Sequence, residues 1–263
     1  MKTILLIGAA GVVLALLFTA CAAAMPPGPM TEKVLPLTGG PYKIAAGGPV
    51  QVITIAENGA NTAVLSGGAN ALNRIRFTVD EAAREIRVQM EFPGSWNFRG
   101  DVALTVGAPV DSIDISGSVS VDYRDATVST FKLDASGSSK GNYSFTGDLK
   151  TLNVKTGGSG RDSFAFAKPL DSLEVRASGS SDFTFSGSVK QAEYNLGGSA
   201  TIRAFDLAAQ EVTVRSAGSC EIEQGFAPEG KLGGSMSGSG KIIHTGNPAV
   251  DVKTSGSVRI SPR

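Results

Sequence analysis

The chain has 263 residues, with 24 basic and 24 acidic side chains and a single histidine. Such a balance gives no electrostatic case for nucleic-acid binding or for steering towards an anionic surface. One histidine and one cysteine beyond the leader, Cys220, cannot build a thiolate–imidazole zinc cluster, so neither a metal nor a cofactor is expected.

Residues 1–24 read as a signal peptide. Lys2 precedes an apolar run from Ile4 to Ala20, short for a membrane span of roughly 20 residues. The stretch Leu17-Phe18-Thr19-Ala20-Cys21 resembles a bacterial lipobox, with Phe18 where leucine is preferred, and it marks Cys21 as a lipidation site. Ordinary cleavage near Ala22-Ala23-Ala24, or an uncleaved anchor, stays open. Residues 25–31, with Pro26, Pro27 and Pro29, suit a tether between membrane and domain.

A single domain is expected over 32–263. Its first part, 32–109, is the less regular. Val50 to Ile55, Arg74 to Val79, Glu85 to Met90 and Val102 to Val106 alternate in polarity, as irregular coils or as a small sandwich capping the regular part. Asp80 to Arg84 reads as a polar turn or one helical turn. Trp96 either caps that core or stands exposed. Arg99-Gly100-Asp101 is too short a match to a receptor-binding tripeptide to carry weight.

From 110 to 263 a Gly-Ser step recurs eight times at intervals of 18 to 21 residues, from Gly117-Ser118 to Gly256-Ser257. A short period over many copies means one small unit stacked on itself. Counted from each glycine as zero, position −4 is Ile113, Leu133, Val154, Val175, Tyr194, Val214, Gly234 and Val252. Positions −6, −2, +2 and +4 are also mostly apolar or small, with polar residues between them. That alternation is a strand with one buried face on each side of the glycine. Position +6 holds Tyr123, Tyr143, Phe164 and Phe185, expected as an internal aromatic ladder that ends at Ala204. A unit of about 20 residues without Asn-Gly or Asp-Gly turns favours an all-β fold, a right-handed single-stranded parallel β-helix. The glycines are placed at the inner corner of each coil.

No catalytic constellation emerges. His244 is read at an outward position with an incidental role, and the many serines reflect the bends. Asp114 and Asp134 share position −3 on adjacent units, followed there by Lys155 and Arg176. A solvated face of mixed charge is the plain reading; a pair of carboxyls for glycosidic cleavage is the functional one. Asp162, at the buried parity, marks a bulge or register change. Cys220 fills a narrow slot as a small apolar group.

The stretches Ile113-Asp114-Ile115-Ser116-Gly117-Ser118, Val175-Arg176-Ala177-Ser178-Gly179-Ser180 and Met236-Ser237-Gly238-Ser239-Gly240-Lys241-Ile242 resemble the auto-transporter adhesin head GIN domain family over roughly residues 38–260. The resemblance implies a β-helical envelope or secreted protein, with no enzymatic activity and no agreed site to carry over. The expected function is therefore a non-enzymatic, adhesin-like envelope protein contacting a surface glycan or an envelope protein. It would be held at the outer membrane by lipid on Cys21, or else be secreted or periplasmic. The rival is a β-helical polysaccharide lyase or hydrolase with carboxylates on the outer face.

Overall fold

The computed structural model describes residues 28–48, 50–91 and 102–263. The expectations for Cys21, the signal segment, Trp96 and Arg99-Gly100-Asp101 lie outside the described residues. The architecture is a parallel β-solenoid of about 7 turns. Its regular part is β8 (Val110–Ala126), β9 (Thr130–Phe145), β10 (Thr151–Thr156), β11 (Ser159–Phe166), β12 (Leu170–Thr245) and β13 (Ala249–Pro262). Each coil has two legs that meet at the Gly-Ser step. The legs pair parallel with those of the next coil, so that Gly117 lies beside Gly137 and Gly238 beside Gly256.

Alternation then builds the core. Ile113, Leu133, Val154, Val175, Tyr194 and Val214 at position −4 are all buried, and their polar neighbours stay wetter. Stacking identical slots at the ~4.8 Å strand spacing lets each apolar side chain pack on its counterpart one coil away. The aromatic ladder forms in part. Tyr143 stacks on Phe164 at 4.7 Å between ring centroids, and Phe164 on Phe185 at 5.3 Å. Tyr123 leaves the column and meets Phe131 and Phe145 edge-on. The register slips between Tyr123 and Ala126, where Asp125 has a φ of +54°.

The first part of the chain is both coil and cap. Strands β2 (Tyr42–Gly47) and β3 (Val50–Ala56) pair parallel with the two legs of β8, aligning Ile44 with Ile113 and Ile55 with Tyr123. Next to them lie β6 (Glu85–Met90) on β2 and β7 (Val102–Val106) on β3, again parallel. The end is closed by antiparallel strands: β5 (Ile75–Asp80) on β6, β4 (Thr62–Gly68) on β7, and β1 (Met30–Pro36) on β4. A short helix, α1 (Ala69–Leu72), links β4 to β5. Spatial order thus departs from chain order, because the β2–β3 coil sits between β6–β7 and β8. Asp80 to Arg84 is a turn, with the Ala83 N–H donating to Asp80 Oδ1 at 2.9 Å.

The corner glycines sit at the outside of the bend, not the inside; all but the half-buried Gly158 are exposed. Two constraints select glycine there. A Cβ on Gly198 would stand 2.6 Å from the carbonyl oxygen of Gly179, and one on Gly238 would stand 2.5 Å from that of Gly218. Most also hold positive φ, +95° at Gly117 and +127° at Gly218, which side-chain-bearing residues avoid. The serine before the glycine fastens the corner. Ser136, Ser178 and Ser237 each donate their hydroxyl to a carbonyl of the preceding coil, on Ile115, Thr156 and Ser216 respectively.

Candidate functional site

Two outer faces carry polar grooves. On the first leg, Asp114 and Asp134 are direct register partners on adjacent coils, and Lys155 and Arg176 continue the same column. Lys155 Nζ pairs with Asp134 Oδ2 at 3.3 Å, while Arg176 pairs along its own strand with Glu174. Asp114 and Asp134 also line a shallow cavity of about 430 Å³ with Lys43, Glu85, Asp111 and Lys132. Burial pushes the Asp111 carboxyl up, and Lys43 opposes the shift. The two predicted acids are thus neighbours on a face of mixed charge.

The larger groove, about 860 Å³, lies at the corner where one coil passes to the next. Asp171, Lys190 with Gln191, Gln210 with Glu211, and Lys231 occupy the same −8 and −7 slots on four successive coils, and Pro228 and Glu229 form its rim. Three inter-coil steps give it a length of roughly 14 Å. Lys190 Nζ contacts Asp171 Oδ1 at 2.6 Å and holds that carboxyl below the usual range. Gln191 Nε2 reaches Glu211 Oε2 at 3.4 Å. Gln210, Glu229 and Lys231 have no side-chain partner among the described residues, leaving acceptors, amide donors and an ammonium turned to solvent. Counting columns missed this site because the −8 and −7 slots keep their place from coil to coil but not their side chains: acid, base and amide alternate there, so no residue type recurs to mark them.

Other singled-out residues lie inside. His244 is 8% exposed at position +6, correcting its outward assignment: the aromatic column continues through Ala204 and Gln224 to His244, whose ring meets Phe226 edge-on at 6.3 Å. Gln224 is fully buried, accepting from the Tyr194 hydroxyl at 2.9 Å and donating to the Leu207 and Gly225 carbonyls. Cys220 is buried and free, its thiol pushed up by desolvation. Asp162 is buried in unbroken register with Gly141 and Phe183, so it marks no bulge. Among the described residues no group of three or more His, Cys, Asp or Glu side chains is placed to hold a metal ion, and no helix is long and apolar enough to cross a membrane.

Residues 40–248 match the family model described as putative auto-transporter adhesin, head GIN domain. The chain belongs to this family. No curated protein matches it. The head GIN domain fold recurs in solved structures: a putative adhesin from Parabacteroides merdae (TM-score 0.67, 15% identity) and a putative lipid binding protein from Parabacteroides distasonis (TM-score 0.73, 17% identity). A putative adhesin from Bacteroides fragilis is similar at TM-score 0.58 and 15% identity. The first two matches cover 91% of this chain and 99% of the other, and the third covers 91% and 100%. At these identities the likeness is one of fold, and the head GIN domain here keeps its own surface.

Proposed function

We propose that the protein is a non-enzymatic, adhesin-like component of the bacterial envelope that binds a glycan along the corner groove. Family membership supports the adhesin-like role. The observation that carries the ligand class is the groove's lining of carboxylates, amides and ammonium groups in phase over four coils. A chain of sugars presents hydroxyls that need both donors and acceptors, and this row supplies both. Protein partners are gripped mainly through buried aromatic and Arg anchors, alongside other apolar contacts. Among the described residues the large hydrophobics that stand exposed, Met30, Val34, Val52 and Val250, are all outside the groove.

The Asp171 carboxyl, held low by its hydrogen bond to Lys190, is not set up as a general acid, which needs a raised one. On the first leg, Asp134 stands in an ion pair with Lys155. The leader supports anchoring by lipid on Cys21. Mass spectrometry of the mature N-terminus tests it: a diacylglyceryl-modified cysteine is expected, and an unmodified terminus at or beyond Ala22 overturns the anchor. For the groove, Gln191→Ala with Gln210→Ala should abolish retention on glycan, while Lys132→Ala on the other face should not. Equal loss from both would remove the groove from the reading.

A further inference from the structure

The second leg of three successive coils is interrupted by polar groups inside the core. Asp162, only 1% exposed, stands in register above Gly141 and below Phe183. Ser139 Oγ donates to Asp162 Oδ2 at 2.9 Å, and the hydroxyls of Thr156 and Ser181 bond each other at 3.0 Å. Among the described residues three buried side-chain atoms remain without a partner, and two of them are in this cluster: Asp162 Oδ1 and the phenol oxygen of Tyr143; the third, His244 Nδ1, lies outside it. A buried acceptor and a buried donor left unmade each cost about 1–3 kcal/mol, so their occurrence together calls for an explanation.

Their positions supply one. The Tyr143 ring folds back over Gly141, where a Cβ would stand 2.6 Å from the phenol oxygen. The phenol therefore occupies the slot directly beneath Asp162, in place of the side chain that Gly141 lacks. The carboxyl in turn leans over Gly160, where a Cβ would stand 3.1 Å from Oδ2 and 2.9 Å from Ser139 Oγ. The ring cannot swing up to close the gap, because it is stacked on Phe164 at 4.7 Å and 8°. A stranded donor and a stranded acceptor on paired strands of adjacent coils supply two of the two to four polar partners that an internal water needs.

We infer that the space between Tyr143 Oη and Asp162 Oδ1 is a buried binding site for one water molecule, which accepts a hydrogen bond from the phenol and donates one to the carboxylate. The ionised carboxylate then has two donors, Ser139 and the water. Asp162 is faced by Ser139, Gly141 and Tyr143 from the coil before, Ser181 and Phe183 from the coil after, and Thr156 across the corner. Of these only Tyr143 titrates; burial first, and the charge on Asp162 after it, push its phenol well up. Lys140, Arg161 and Asp182 hold the outward positions of the same stretch. Burial pushes Asp162 up to about 6 against the pull of Ser139, so the water acts on a group that titrates in an accessible range.

Two measurements on the full chain test the site. A crystal structure at about 1.5 Å and near-neutral pH should show a water within about 3.2 Å of both atoms. An empty gap, or a direct Tyr143–Asp162 hydrogen bond, overturns the proposal. Carbon-13 NMR titration of the Asp162 carboxyl, assigned with Asp162→Asn, should show its proton affinity rising at least roughly threefold in Tyr143→Phe, which keeps the stacked ring and deletes the water's donor. An unchanged midpoint overturns it too. Ser139→Ala, which removes a direct donor, should raise the midpoint and shows that the readout responds.

Discussion

At the scale of single residues, the fold depends on backbone that no side chain can replace. Gly198 has a φ of +84° and lies against the carbonyl of Gly179. Gly198→Ala is expected to cost roughly 2–4 kcal/mol from strain and displacement of the neighbouring coil. Chemical denaturation measures it, and alanine at the flanking Ser199, which points outward, should cost under about 0.5 kcal/mol. Asp162 adds a pH dependence. Its folded carboxyl is pushed up to about 6, against an ordinary value of 3.8. Between those values the folded state holds a proton that the unfolded state has lost, so stability falls as pH rises from about 4 to about 6, by about 3 kcal/mol. Asp162→Asn should remove most of that slope in denaturation curves taken across the range. The glycine spacing was readable without coordinates, but its reason was not: the inner-corner expectation failed because the obstacle is a carbonyl one coil away, which lies about 20 residues back in the chain.

At the scale of elements, the two legs of each coil were legible because period-2 alternation reports a buried face directly. The aromatic column was legible for Tyr143, Phe164 and Phe185, whose rings stack. Phe164, fully buried between two of them, should cost about 3–5 kcal/mol on truncation to alanine, measured by the shift in denaturation midpoint. Tyr123 escaped the pattern because its partner lies far off in sequence: its hydroxyl donates to Glu57 Oε1 at 2.5 Å and accepts from the Val110 N–H at 3.1 Å. Glu57 also accepts from Thr127, tying the β2–β3 coil to the corner after β8. Tyr123→Phe should therefore lower stability by about 1–3 kcal/mol, because it strands a buried amide. His244 was misplaced by counting within Lys241-Ile242-Ile243-His244 alone; counting from Gly238 puts it at the buried slot.

At the scale of the whole molecule, the solenoid is closed at one end by antiparallel strands, and its regular coils present long polar faces. The sequence offered coil and cap as alternatives and could not combine them, because the order of these strands in space differs from their order in the chain. Gly47-Gly48 makes the corner of the β2–β3 coil without a serine to reveal it, and the Gly48 N–H donates to the Ser116 carbonyl at 3.2 Å. The corner groove was hidden for a related reason, since binding surfaces occupy the positions that the repeat leaves free to vary. Exposed ion pairs on the outer faces, such as Lys241–Glu221 on the second leg at 2.5 Å, contribute little to stability, so those faces can change without loss of fold. The most direct measurement is retention of the full chain on a panel of immobilised glycans, run beside Gln191→Ala/Gln210→Ala and an assay for released sugar. The expected result is binding to at least one glycan, abolished in the double variant, with no product released. Release of cleaved sugar, or binding that the double variant leaves intact, would contradict a non-enzymatic receptor site in the corner groove.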